Sequence, residues 1–131
     1  MGIIKSQIRN TLYQVEIQSD SGNQLIADEP QELGGGNTGF SPDELLRAAL
    51  AACTSATLRM YADRKGWDLQ GVNLELDFVW DKDLSKTTIR REIHISGNLD
   101  DAQRERLLAI ANLCPIHKVL SNPIEIITNL S

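Results

Sequence analysis

The segment from Ser41 to Gly66 constrains this chain most, because it specifies one uninterrupted helix with a marked start and a marked stop. Ser41 suits the N-cap, Pro42 the first turn, and Glu44 occupies the capping-box position. Gly66 supplies the stop. A helix over 42–65 is about 36 Å long, roughly the diameter of a compact domain of this chain length. Its middle, Leu45 to Leu58, is apolar or small almost all round, a pattern that predicts burial on every side. One small sheet can cover only one side. A second subunit is therefore expected to cover the rest.

With 131 residues the chain is expected to form a single domain, 1–131, burying somewhat over ~60% of its unfolded surface. A net charge of −5 and a pI near 4.9 argue against nucleic-acid partners and anionic membrane surfaces, both of which require a basic stripe. The opening MGIIKSQIRNTL has neither the apolar core nor the small-residue site of a secretory signal. The longest apolar run, Ala48 to Ala52, is far too short to cross a bilayer. These features predict a soluble, cytoplasmic protein, in a compartment where structural disulfides are unusual.

Around the long helix the pattern alternates. Ile3 to Ile8 and Tyr13-Val15-Ile17 predict an N-terminal hairpin, and Gln24 to Ala27 a third strand. After Gly66, Val72-Leu74-Leu76-Phe78-Trp80 alternates cleanly. Ile89-Arg91-Ile93-Ile95 does so less cleanly, because Arg91 interrupts the apolar face. Asp81 to Lys86 joins these two as a hairpin loop. Asp100, with Gln103 at the capping-box position, starts an amphipathic helix, and Cys114-Pro115 starts a short one to about Leu120. Ile124 to Leu130 is expected to be a final strand. The order βββ-α-ββ-αα-β gives an α+β class with mostly antiparallel sheet.

Chemistry centres on the two cysteines. A free thiol with a pKa of about 8.5 is only about 3% thiolate at pH 7, and the thiolate is the nucleophile. Half-ionising it requires about 2 kcal/mol, and burial opposes the change. Cys53 lies well beyond the first turn of its helix, out of reach of the helix dipole, so a reactive Cys53 needs a cation delivered to it. Cys114 instead sits where an N-cap is expected, with His117 three residues on. From spacing alone, two buried cysteines acting as small hydrophobes explain the pattern better than a redox pair does. A metal site is the weaker reading. Cys53, His94, Cys114 and His117 are the whole Cys and His supply, and no pair has ligand spacing.

The segments DEP, LGGGNTGFSPDELLRAALAACTSATLRMYADRKGW and LCPIHKVL, in that order, resemble the OsmC/Ohr family of organic-hydroperoxide peroxidases, and most closely its OsmC-like branch. The likeness covers essentially the whole chain. It implies an OsmC-like fold, with antiparallel sheets packed on a long central helix in an intertwined homodimer. It further implies that Cys53 is the peroxidatic thiol and Cys114 the resolving one. The implied partners are a small-molecule alkyl or fatty-acid hydroperoxide and an external dithiol reductant, a lipoylated protein or thioredoxin, with no bound cofactor. The family's acidic helper falls at Asp43, with Glu44 beside it. Its arginine comes from the N-terminal strands or the loop before the helix. Here no arginine lies between Arg9 and Arg47, which leaves Arg9 as the N-terminal candidate. Arg47, four residues after Asp43, reads as its surface ion-pair partner. That departure keeps a second reading open: a thiol redox sensor or apolar-ligand-binding protein with little turnover.

Overall fold

A computed structural model describes residues 2–83 and 85–131, arranged as two compact units that divide inside the long helix, after Leu46. The predicted hairpin loop 81–86 contains Leu84, which lies outside the described residues.

In the N-terminal unit, β1 (Ile4–Ile8), β2 (Val15–Ser19) and β3 (Gln24–Ala27) form an antiparallel sheet in that order, with Ile4 opposite Ser19 and Val15 opposite Ala27. The following loop is held by a single carboxylate. Asp28 is buried, and its oxygens accept hydrogen bonds from the backbone N–H groups of Tyr13, Glu29, Gly36 and Thr38 and from the Thr38 hydroxyl at 2.6 Å. The Thr38 hydroxyl first, then the backbone donors, outweigh the penalty of burial and hold the carboxyl well below the usual carboxylate range. Gly35 is required because a Cβ there would run into the Glu29 carbonyl.

The long helix α1 spans Pro42–Lys65, as its residues predict. At its start Glu44 Oε1 accepts from the Ser41 backbone N–H at 2.9 Å, the reciprocal half of a capping box. The Ser41 hydroxyl lies 2.8 Å from Asp43 Oδ1 and 3.0 Å from Glu44 Oε1, so it donates to these carboxylates. At the other end Gly66 takes φ +69°. The N–H of Trp67 reaches Ala62 O, that of Gly66 reaches Asp63 O, and Trp67 packs edge-on against Tyr61 with ring centroids 5.5 Å apart. These are the bonds and the apolar contact of a Schellman termination.

Within this chain α1 buries one stripe rather than its whole circumference. Leu50, Thr54, Leu58 and Ala62, four apart, face inward, whereas Leu46 and Met60 are exposed. β4 (Asp68–Asp81) and β5 (Lys86–Asn98) form a long antiparallel hairpin, followed by α2 (Asp101–Ala111) and α3 (Pro115–Leu120). The expected capping box of α2 is present: Asp100 accepts from Gln103 N at 2.7 Å, and the Gln103 side chain accepts from Asp100 N at 2.9 Å. Leu58, Ala62, Leu69, Leu107, Ile110 and Ala111 form the core of this unit, with Val72, Ile93 and Ile95 of the hairpin packed against it. Leu58 and Leu107 are each 1% exposed, so truncating either to alanine costs about 2–5 kcal/mol.

One expected element does not form. The predicted strand at 124–130 has no β structure, and Ile126, Ile127 and Leu130 are 82%, 80% and 99% exposed. Alternating apolar residues favour an extended segment, but a strand also needs a neighbour for its backbone groups, and among the described residues none pairs with it. The α+β class with antiparallel sheets stands.

Candidate active site

The buried stripe of α1 carries Thr54, which is fully buried, and the next residue toward the helix start is the half-buried Cys53. Cys114 arrives from the far side of the core. After α2 ends, Leu113 N bonds Ile110 O and Cys114 N bonds Ala111 O, a tight turn that Pro115 converts into the first position of α3. Cys114 is the N-cap of α3, and its sulfur accepts from the backbone N–H of His117 at 3.3 Å. It is fully buried, 3.8 Å from Thr54 Oγ1, and close enough to the Cys53 thiol to be influenced by it. Both cysteines are free thiols.

Burial pushes the Cys114 thiol up. The His117 N–H, the Thr54 hydroxyl, the Cys53 thiol and the positive charge of Arg91 together outweigh that penalty and hold it below its ordinary value.

Arg91 is the residue that sequence reasoning missed. It sits on β5 opposite Leu76, on the same half-buried face as Ile89, Ile93 and Ile95. Its guanidinium ties three elements together. Nη1 donates to Thr54 Oγ1 at 2.8 Å and to Ala111 O at 3.2 Å, and Nη2 donates to Asn112 Oδ1 at 2.9 Å. The available signal was the interruption of the apolar alternation at position 91. A charge on a core-facing strand position needs hydrogen-bond partners, and here they are the helix beside one thiol and the turn leading to the other.

The other expected residues lie as follows. The His117 side chain is half-buried, and the residue serves Cys114 through its backbone. Arg9 Nη2 donates to Gln7 Oε1 at 3.1 Å on the exposed N-terminal sheet. Asp43 and Glu44 both engage Ser41 at the start of α1. Arg47 lies over the Phe78 ring, with Cζ 5.9 Å from the centroid. Of the expected set, the structure brings Cys53, Cys114 and His117 into one cluster.

One helical turn or one strand step from the residues that Arg91 joins is an apolar space. Leu58 follows Thr54 by one helical turn, Ile93 follows Arg91 on the same strand face, and Leu107 precedes Ala111 by one turn. These three, with Ile95, Leu108 and Arg104, line a cavity of about 210 Å³. Among the described residues, no helix is long and apolar enough to cross a membrane.

Comparison with known proteins places this geometry in context. A family model described as OsmC-like protein matches residues 34–129. The fold is shared with a Psychrobacter arcticus 273-4 protein described by its osmotic stress and detoxification response (TM-score 0.78, 26% identity, covering 91% of this chain and 88% of that one). An organic hydroperoxide resistance protein OsmC from Legionella pneumophila gives a TM-score of 0.67 at 25% identity, covering 92% and 88% of the two chains. An OsmC-like protein from Mycoplasma pneumoniae gives 0.78 at 20% identity, covering 92% and 87%. Comparison with curated proteins returns no match.

Proposed function

The chain belongs to the OsmC-like protein family, and from that premise we propose that it is a two-cysteine thiol peroxidase reducing organic hydroperoxides to alcohols. The observation that carries this reading is the thiol pair itself: a half-buried Cys53 beside a buried Cys114 whose surroundings hold its thiol below the ordinary value. The Cys53 thiolate attacks the O–O bond of the hydroperoxide. The alcohol leaves with a proton, and Cys53 becomes a sulfenic acid. The Cys114 thiolate then attacks the Cys53 sulfur, hydroxide leaves as water after protonation, and a disulfide remains. An external dithiol, a lipoylated protein or thioredoxin, returns both thiols to the reduced state without a bound cofactor.

The Legionella neighbour, named for organic hydroperoxide resistance, supports the substrate class. The apolar cavity lined by Leu58, Ile93 and Leu107 supports an alkyl substituent over hydrogen peroxide. The exposed apolar residues Leu46 and Met60 on α1 support a homodimer as the working form.

Steady-state removal of cumene hydroperoxide with a dithiol reductant tests the assignment. Cys53→Ser abolishes turnover, and wild-type rates in Cys53→Ser protein would refute the assignment.

The convergence of donors on Cys114, the less accessible thiol, favours one other reading: a redox sensor or apolar-ligand-binding protein that forms its disulfide once and turns over slowly. Single-turnover oxidation without sustained turnover would select it.

A further inference from the structure

We infer that Thr54, held in place by Arg91, is a positioning residue whose hydroxyl proton turns between the Leu50 carbonyl and the Cys114 sulfur, and so lets a buried Cys114 carry its charge. The inference takes its catalytic meaning from the two-thiol chemistry proposed above.

The argument is a count of protons and lone pairs. A threonine hydroxyl has one proton to donate and two lone pairs to accept with. Thr54 Oγ1 lies 2.7 Å from Leu50 O, 2.8 Å from Arg91 Nη1 and 3.8 Å from Cys114 Sγ. The Leu50 carbonyl can only accept and the guanidinium can only donate. With the proton on Leu50, one lone pair takes the Arg91 N–H and the other is left for Cys114, which must then be the donor. This arrangement satisfies every group when Cys114 is a thiol.

When Cys114 loses its proton, the lone pair facing it becomes repulsive. Rotation of the Thr54 hydroxyl turns its proton onto the sulfur. The Leu50 carbonyl loses nothing essential, because in the helix it retains the Thr54 backbone N–H. Arg91 donates to Thr54 Oγ1 in both states, so the oxygen stays fixed while the proton moves. The groups facing the sulfur are Cys53 and Thr54 from α1, Arg91 from β5, and the His117 backbone N–H from α3. Among these, Thr54 is the hydroxyl that can either accept from the thiol or donate to the thiolate, which the Cys53 thiol can do only weakly.

The consequence reaches the reductive half of the cycle. An external dithiol, as thiolate, attacks the more open Cys53 sulfur. The Cys53–Cys114 bond breaks, and its electron pair goes to Cys114, where the Thr54 proton is turned to meet it. The second thiol of the reductant then closes its own disulfide and releases Cys53. The better stabilised thiolate is the better leaving group.

The test is the ultraviolet absorbance of the thiolate against pH in reduced Cys53→Ser protein, where Cys114 is the remaining thiol. Thr54→Val, which keeps the shape and removes the hydroxyl, raises the Cys114 midpoint by about one pH unit, a roughly tenfold loss of thiolate at neutral pH. Thr54→Ser restores it. Arg91→Gln removes the fixed charge and raises the midpoint in the same direction by less, so the test survives if Thr54→Val fails to fold. An unmoved midpoint in either variant overturns the inference. Because the titration uses no hydroperoxide, a failure of peroxidase turnover contradicts the proposed function without altering this result.

Discussion

Asp28 in the N-terminal unit and Cys114 in the C-terminal unit are both buried acids beside a threonine, and they are held in opposite ways. Asp28 meets four backbone N–H groups and the Thr38 hydroxyl, donors whose positions the loop backbone fixes. Its charge is permanent and its role is architectural. Cys114 meets one backbone N–H, the Thr54 hydroxyl, the Cys53 thiol and the more distant charge of Arg91, while burial opposes ionisation. The first environment can only hold an anion, whereas the second can accept either protonation state. A chain that needs an anchor surrounds it with rigid donors. One that needs a group able to gain and lose a proton gives it fewer donors and one that rotates.

The sharpest way to break this contrast is Asp28→Asn. The new amide must turn its NH₂ toward donors that already face this position, so the variant shows a larger fall in melting temperature than any substitution below. A neutral effect would mean the loop does not depend on the carboxylate. Arg91→Met comes next. It breaks bonds from a charged donor to Thr54, Ala111 and Asn112, and costs about 2 kcal/mol in denaturant unfolding.

The pH dependence separates the two acids. The folded Asp28 value is depressed, so its stabilising contribution is fully present above the ordinary aspartate value of ~3.9. It is lost as pH falls through the folded value. Acid unfolding of wild type should therefore be steeper below about pH 4 than that of Asp28→Asn. Cys114 is also lowered, so its contribution is present above the free-thiol value of ~8.5 and lost as pH falls through its folded value. Reduced wild type should thus gain stability relative to Cys114→Ala as pH rises toward about 9. The smallest effect belongs to a site outside both centres. Asp100→Ala removes the α2 cap, costs about 1 kcal/mol, and leaves the Cys114 titration unchanged.

Local features were legible in the residues, and features made by packing were not. Ser41 to Gly66 announced α1, Asp100 and Gln103 announced the α2 cap, and Cys114-Pro115 announced the start of α3, because each depends on neighbours a few residues away. Resemblance then singled out Cys53 and Cys114 as the pair. Arg91 escaped because its partners stand 37, 20 and 21 residues distant in sequence and only the packed core joins them. Its trace was one charge on an apolar strand face. The segment 124–130 misled for the converse reason: apolar alternation records a preference for extension and says nothing of a pairing partner.

The central claim is that Cys53 and Cys114 form one redox pair, and the most direct measurement is intact mass after one equivalent of cumene hydroperoxide. Reduced wild type should lose two hydrogens as the disulfide closes, Cys114→Ser should hold a trapped sulfenic acid at Cys53, and Cys53→Ser should stay unchanged. An unaltered wild-type mass would contradict the account.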